Sequence, residues 1–286
     1  MVTVRDVQLY WDRRPCNIRH SPKSVGTKEY FDEVEARKYF VEPHIPAFAD
    51  FPRWQGKDVL EVGCGIGTDS TNFARHGANL DVIELSSESL ALARQRFDVY
   101  GLKARFFQGN AEELDEILPA GKKYDLVYSF GVIHHTPSPA RVVAAVAKRL
   151  KDDGEFRLML YSRCSWKTLS IYVRRGWREP WNLSRLVAKY SEAQTGCPIT
   201  YIYSLQQVRE LLADFAVLSL SKDHIFPYRI GDYVQFRYVK EWYFRWMPEP
   251  WFRWLEKRLG WHTLVVARLP KRRSEETGKQ RSCFAG

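Results

Sequence analysis

Several features are missing from this sequence, and each absence narrows what the chain can be. No stretch of the 286 residues approaches 18 uncharged apolar positions, which excludes a helix that crosses a membrane. The opening MVTVRDVQLYWDRR has no apolar run of signal-peptide length before its charges resume, so a cytoplasmic protein is expected. The five cysteines, Cys16, Cys64, Cys164, Cys197 and Cys283, are scattered, odd in number and never in CxxC spacing. That pattern argues against a disulfide framework or a zinc knuckle and leaves reduced thiols. There are no internal repeats.

What is present begins with charge. The formal balance is +10, and it is uneven: Arg157 to Lys189 holds eight Lys/Arg against one acidic residue, and the chain from Lys222 onward holds fourteen against seven. Such asymmetry suits an anionic partner, whether phosphate, nucleic acid or an acidic membrane surface, with a merely solvated basic face as the plain alternative.

Residues 1–26 are rich in turn formers and read as an irregular arm, whose Arg13, Arg14, Cys16, Arg19 and His20 could reach over a pocket. A helical pattern of Tyr30, Phe31, Val34, Tyr39 and Phe40 follows, limited by Pro43 and Pro46. From Val59 the chain alternates. Strands are expected at Val59–Val62, Leu80–Ile83, Ala104–Phe107, Tyr124–Ser129 and Phe156–Tyr161. Helices fall between them, one capped by Ser86 or Ser87 and one over Pro139–Leu150. This is the rhythm of a parallel sheet covered on both faces. Residues 1–55 then form an arm and helix over the pocket, 56–161 the nucleotide-binding core, and 162–203 a mostly helical insertion. Residues 204–269 complete the sheet around a tryptophan-rich insertion at 225–261, and 270–286 read as a charged, disordered tail.

The centre of the core is DVLEVGCGIGTDSTNFARHGANLDVIE, Asp58 to Glu84. Gly63, Gly65 and Gly67 stand where a strand must turn sharply into a helix while its amides face a ligand. Glu84, ending the second strand, is placed to accept from two ribose hydroxyls. A dinucleotide site would want a third glycine where Thr68 stands. Asp69 beside it is a poor neighbour for a pyrophosphate and a good one for an ammonium, so an adenosine with an amino-acid tail fits better.

The segments VLEVGCGIGTDS, VIELS, GNAEEL, YDLVYSFGVIHHTPSP and LKDDGEFRLMLY, in this order over roughly residues 56–161, resemble the class I S-adenosylmethionine-dependent methyltransferases of the small-molecule branch. The resemblance implies an α/β Rossmann-like fold with a seven-stranded, mostly parallel sheet and an antiparallel last strand. It implies S-adenosyl-L-methionine as cofactor, with Glu61, Gly63, Cys64, Gly65 and Gly67 around its methionine part and Asp69 near its amino group or an intervening water. Glu84 would hold the ribose, with Leu85 beside the adenine and Asn110, Ala111 and Glu112 along its edge. Many members have aspartate where Asn110 stands, which weakens or reorients a contact to the adenine amino group. Ser129 and Gly131 would floor the reactive methyl.

His134 and His135 follow the fourth strand at the rim where an acceptor arrives, and either could take its proton. Packing against the turn at Pro137 is the alternative reading. Adjacent histidines with no acidic companion fixed by spacing are poor evidence for a metal, and none is expected. Methyl transfer needs mainly alignment, so O- or N-methylation of a small, anionic metabolite is favoured. The acceptor-lining candidates are Tyr30, Arg37, Tyr161, Arg163, Trp166, Tyr201, Tyr203, His224, Tyr228 and Arg229.

In KEWYFRWMPEPWFRWLEKRLGW the aromatics recur at three or four residues, broken around Pro248 and Pro250. Burial against the sheet is the leading expectation for this segment. Docking on an anionic membrane to reach a lipid-linked acceptor, and a dimer contact, are the alternatives. The chain is expected to be a monomer or homodimer. Nucleic-acid methylation is the rival suggested by charge, but no separate RNA-binding module, DPPY-type tetrad or catalytic cysteine motif accompanies it. A non-catalytic scaffold is a further alternative.

Overall fold

Apolar strands of four to twelve residues recur from residue 58 onward. The computed structural model, which describes residues 2–176, 181–192 and 196–270, assembles them into a single sheet. The strands are β1 (Asp58–Val62), β2 (Asn79–Glu84), β3 (Arg105–Gln108), β4 (Tyr124–Phe130), β5 (Leu150–Tyr161), β6 (Ala216–Asp223) and β7 (His262–Arg268), in the order β3-β2-β1-β4-β5-β7-β6. Strands β1 to β5 are parallel and β7 is antiparallel to both β5 and β6, the topology expected from the sequence.

Helices α1 (Val4–Arg13), α2 (Lys28–Val41) and α3 (His44–Ala49) precede the sheet. Within its first half lie α4 (Thr68–Arg75), α5 (Ser87–Tyr100), α6 (Leu114–Ile117) and α7 (Pro139–Arg149). Beyond β5 come α8 (Trp166–Arg175), α9 (Leu183–Tyr190) and α10 (Leu205–Leu211), and between β6 and β7 come α11 (Ile230–Tyr233), α12 (Trp242–Arg245) and α13 (Glu249–Leu259). One sheet face packs Leu60, Val127, Phe156 and Val265 against Val142, Val146 and Val208. The other packs Val59, Val82 and Tyr128 against Phe51, Phe73 and Phe97. Among the described residues, no helix is long and apolar enough to cross a membrane.

Two expectations need correction. The supposedly irregular arm contains α1, opened by a reciprocal cap in which Thr3 and Asp6 satisfy each other's amides. Asp12 at its far end accepts from Ser86 Oγ at 2.7 Å, which docks the helix on the start of α5. The tryptophan-rich segment is not core either. Trp242, Trp246, Trp251 and Trp254 are 69%, 80%, 70% and 56% exposed, while Phe244 and Phe252 take the inward face. Pro248 separates α12 from α13, so the two short helices turn their phenylalanines toward Ile225 and leave the indoles outside. The tail from residue 271 onward lies outside the described residues.

Strand pairing places the functional edge. Tyr161 ends β5 opposite His262, which starts β7, and His262 also faces Asp223 at the end of β6. The carboxyl ends of β1, β2, β4 and β5 and the first residue of β7 therefore share one rim, where open α/β sheets bind ligands.

Candidate functional site

The donor side is built by backbone. Gly63, Gly65 and Gly67 have φ of 77°, 54° and 78°, in the left-handed region that favours glycine. A Cβ at Gly63 would meet Val132 at 2.3 Å, and one at Gly67 would press on Ala93 at 3.1 Å. Gly65 is different: a Cβ there would meet only Cys16 of the arm, at 4.0 Å, an ordinary contact without a clash. Glu84 leans toward this loop. One of its oxygens accepts from Gly65 N and the other from Ser86 N, each at 2.9 Å. Burial nevertheless pushes its carboxyl above the ordinary range, so an added donor such as a hydroxyl would be welcome there. The cradle fits an adenosyl ligand.

Other expected contacts are arranged less directly. Asp69 is 2% exposed and accepts from Lys38 Nζ at 2.7 Å, Tyr39 Oη at 3.0 Å and Tyr128 Oη at 3.1 Å. Its carboxylate is engaged by α2 and β4 and faces no open space at the loop. Glu61 is 3% exposed, accepts from Ser70 Oγ, and is raised to about 8 by burial and by the neighbouring Asp69. Glu61 is thus the carboxyl under the loop that gains most from an arriving ammonium. Cys64 is buried against the loop, its thiol donating to the Gly65 carbonyl. Asn110 accepts from Glu112 N at 3.1 Å, fixing the turn that carries Ala111 and Glu112 beside the half-buried Leu85 strand end. The Glu112 carboxylate turns away from a ligand position to accept from Ser138 N at 2.8 Å and to pair with Arg141. Ser129 donates to Val62 O, and Gly131, at φ 78°, would press a Cβ onto Met159.

His134 and His135 lie on a single 3-10 turn, Ile133–His135, and both are buried. Neither ring nitrogen of His134 has a hydrogen-bond partner among the described residues. Its ring packs 3.8 Å from Tyr161, and burial holds it neutral. His135 is held from more sides, although its Nε2 also lacks a hydrogen-bond partner among the described residues. Its Nδ1 faces Ile199 O at 2.9 Å and Thr200 Oγ1 at 3.2 Å, Glu192 stands 3.8 Å from Nε2, and Trp11 covers its edge. Burial depresses it too.

The acceptor candidates divide. Tyr161 is central, stacked between His134 and Trp261, with Lys167 Nζ over both aromatic faces. His224 also reaches this rim, packing 4.6 Å from His262 and 5.5 Å from His44. The remainder do not converge. Tyr30 is fully buried in the core between α2 and Ile66, its hydroxyl donating to Ile18 O. Arg37 is a clamp, donating to Tyr233 O at 2.5 Å with its guanidinium on the rings of Tyr233 and Phe236. Trp166 packs under Tyr243 and Phe244. Arg163 and Arg229 are exposed, Tyr201 is 39% exposed, Tyr203 packs against the core beneath α7, and Tyr228 stacks on Phe40. Tyr201 and Tyr203 act through backbone, donating to His134 O and Tyr161 O.

Sequence reasoning missed Lys38, Glu42, His44, Lys167, Glu192 and His262, which the fold brings to the neighbourhood of Phe130, His135 and Tyr161. Glu42 is raised to about 7 by burial, whereas Lys167 is lowered by it. The only available signal was their chemistry. Their separation, 218 residues between His44 and His262, hid the cluster.

With this geometry in hand, comparison is informative. Residues 59–154 match the methyltransferase-domain family. The chain is 37% identical over 100 residues to a ubiquinone biosynthesis O-methyltransferase of Sodalis glossinidius, covering 35% of this chain and 39% of that protein. It is 39% identical over 118 residues to the protein of that name from Erwinia tasmaniensis, covering 41% and 48%. The chain therefore spans less than half the length of these relatives. In fold it resembles magnesium protoporphyrin IX methyltransferase from Synechocystis PCC 6803, solved with bound SAH, with TM-score 0.56 at 16% identity over 92% of this chain and 98% of that one.

Proposed function

We propose that the chain, whose residues 59–154 match the methyltransferase-domain family, is a class I S-adenosylmethionine-dependent methyltransferase that methylates an oxygen of a small-molecule acceptor held at the rim of β4, β5 and β7. The observation that supports this reading is the Gly65–Glu84 arrangement: a buried carboxylate held on the amide of a glycine turn, with only Cys16 within 4.0 Å of a Cβ added at Gly65. Bound there, S-adenosylmethionine supplies a methyl group already activated on a sulfonium. The protein's task is alignment and proton removal. Gly131 sets the floor, Tyr161 and Trp261 give the acceptor an apolar wall, and Lys167 attracts a negative group. His134, neutral and without a hydrogen-bond partner on either nitrogen among the described residues, receives the acceptor's proton. The relatives named for O-methylation in ubiquinone biosynthesis favour oxygen over nitrogen as the nucleophile. Calorimetry with adenosylhomocysteine tests the donor half: binding is expected, and Glu84→Ala is expected to abolish it. A folded protein that binds neither adenosyl ligand contradicts the reading.

A second reading concerns where the acceptor is met. Four exposed indoles on α12 and α13, interspersed with Arg245, Arg253, Lys257 and Arg258, form the apolar and cationic mixture that settles at an anionic bilayer interface. This favours peripheral docking that presents a membrane-borne acceptor to the rim. Flotation with vesicles containing phosphatidylglycerol is expected to carry the protein at low salt and less at moderate salt. Failure at both removes the reading.

A further inference from the structure

We propose that Glu42, His224 and His262 form a binding site for one divalent transition-metal ion, with an open coordination position toward the acceptor. One ligand atom from each of the three lies within 4.8 Å of the others, and His262 Nε2 is 3.6 Å from Glu42 Oε1. Two imidazoles and a carboxylate are the donor set that borderline ions such as zinc, cobalt(II) and iron(II) accept, and three protein ligands leave a position for substrate.

The surroundings are organised as support for such an ion. His262 turns its other nitrogen, Nδ1, to His44 Nε2 at 2.9 Å, and His44 Nδ1 stands 3.7 Å from Asp223 Oδ1. The His44 contact orients the His262 ring, and Asp223 stands beyond hydrogen-bond distance of His44 Nδ1 as a neighbouring charge. His224 is held in a left-handed conformation, φ 70°, with its amide on Asp223 Oδ1 and its carbonyl accepting from Trp261 N. That costly geometry aims the ring into the cluster. Three imidazoles are packed together here, yet the His44–His262 contact is the one hydrogen bond their rings make among the described residues. His44 Nδ1 is buried without a hydrogen-bond partner, and the His224 ring and His262 Nε2 make no hydrogen bond among the described residues, which leaves these nitrogens available to an ion.

The location gives the ion a purpose, which rests on the methyl-transfer reading above. Phe130, the last residue of β4, packs 5.4 Å from His262 and 6.0 Å from His44, and the next residue is Gly131 on the floor of the donor pocket. An acceptor hydroxyl on the open position would lose its proton to His134. The freed oxygen pair would form the O–CH3 bond as the S–CH3 pair stays on sulfur, giving a methyl ether, the neutral thioether and one proton.

The test is titration of the tag-free, chelator-treated chain with Co2+, read by d–d absorption and calorimetry. One equivalent with bands of four- or five-coordinate cobalt is expected, lost in Glu42→Gln and in His224→Gln. His44→Gln, which touches His262 rather than the ion, is expected to weaken binding by ~10–100-fold. Circular dichroism and adenosylhomocysteine affinity establish that each variant is folded. No stoichiometric cobalt binding, or binding unaltered by both ligand substitutions, overturns the proposal. Adenosylhomocysteine binding is scored separately, so failure of the metal site leaves the methyl-transfer reading standing, and the converse also holds.

Discussion

The two sides of the rim are built by different means. On the donor side, positions within one short stretch, residues 58–86, do nearly everything: a glycine turn supplies amides, and a strand end supplies Glu84. On the acceptor side, side chains arrive from α2, α3, α8, the end of β6 and the start of β7. The first design uses backbone, which tolerates little change in residue type; the second uses side chains whose partners lie far away in sequence. Family likeness follows the same division, since the matched segment, 59–154, ends before β7 and the tryptophan-rich insertion begin.

Substitution should sharpen that contrast. The largest stability effect is expected at Arg96, fully buried on α5, which donates to Thr68 Oγ1, Phe31 O and Glu35 and so ties α2 to the cofactor half. Arg96→Met should cost about 3 kcal/mol or more in urea unfolding, because it strands buried acceptors. His134→Gln should lower turnover by ~100-fold or more while leaving adenosylhomocysteine affinity unchanged, a kcat effect without a donor-binding effect. An equal loss of both would place His134 in packing instead.

Glu61 offers a pH test on the donor side. Its folded carboxyl is raised from 4.5 to about 8, so its stabilising contribution is full at low pH and is lost as pH rises through about 8. Glu61→Gln, which stays neutral, should flatten the decline of melting temperature over about pH 5 to 9. Because an ammonium nearby favours the ionised form, adenosylhomocysteine binding near neutral pH should release a proton, detected by calorimetry in buffers of different ionisation enthalpy. A wild-type melting profile parallel to that of Glu61→Gln would contradict this.

The smallest stability effect belongs to the outer face. Trp246→Ala with Trp251→Ala should change unfolding free energy by no more than about 0.5 kcal/mol each, yet remove vesicle flotation. A large destabilisation would mean that these indoles hold the fold.

The sequence made the donor half legible because its signals are local. Gly63, Gly65, Gly67 and Glu84 sit at fixed spacing between strands whose apolar runs mark them. Asp69, expected near the ammonium or an intervening water, also accepts from Lys38, Tyr39 and Tyr128, two of them from a helix that precedes the core and that local spacing could not connect to it. Helix α1 carried its signal in Thr3 and Asp6 and in Val4, Val7 and Tyr10 at helical spacing, which the turn formers after it outweighed in the reading of an irregular arm. The indoles of α12 and α13 recurred at helical spacing just as a buried stripe would; which face turned inward was decided by Phe244 and Phe252 meeting Ile225. Nothing in local spacing could bring Glu42, His44, His224 and His262 together: the β6–β7 pairing sets His262 beside His224, and tertiary packing of the α2–α3 junction brings Glu42 and His44 to them.

The most direct measurement is a crystal structure of the chain with adenosylhomocysteine. The account predicts the ligand above Gly65, with both ribose hydroxyls within hydrogen-bond reach of the Glu84 carboxylate and its sulfur facing Gly131. Ligand bound elsewhere, or Glu84 directed away from the ribose, would contradict it.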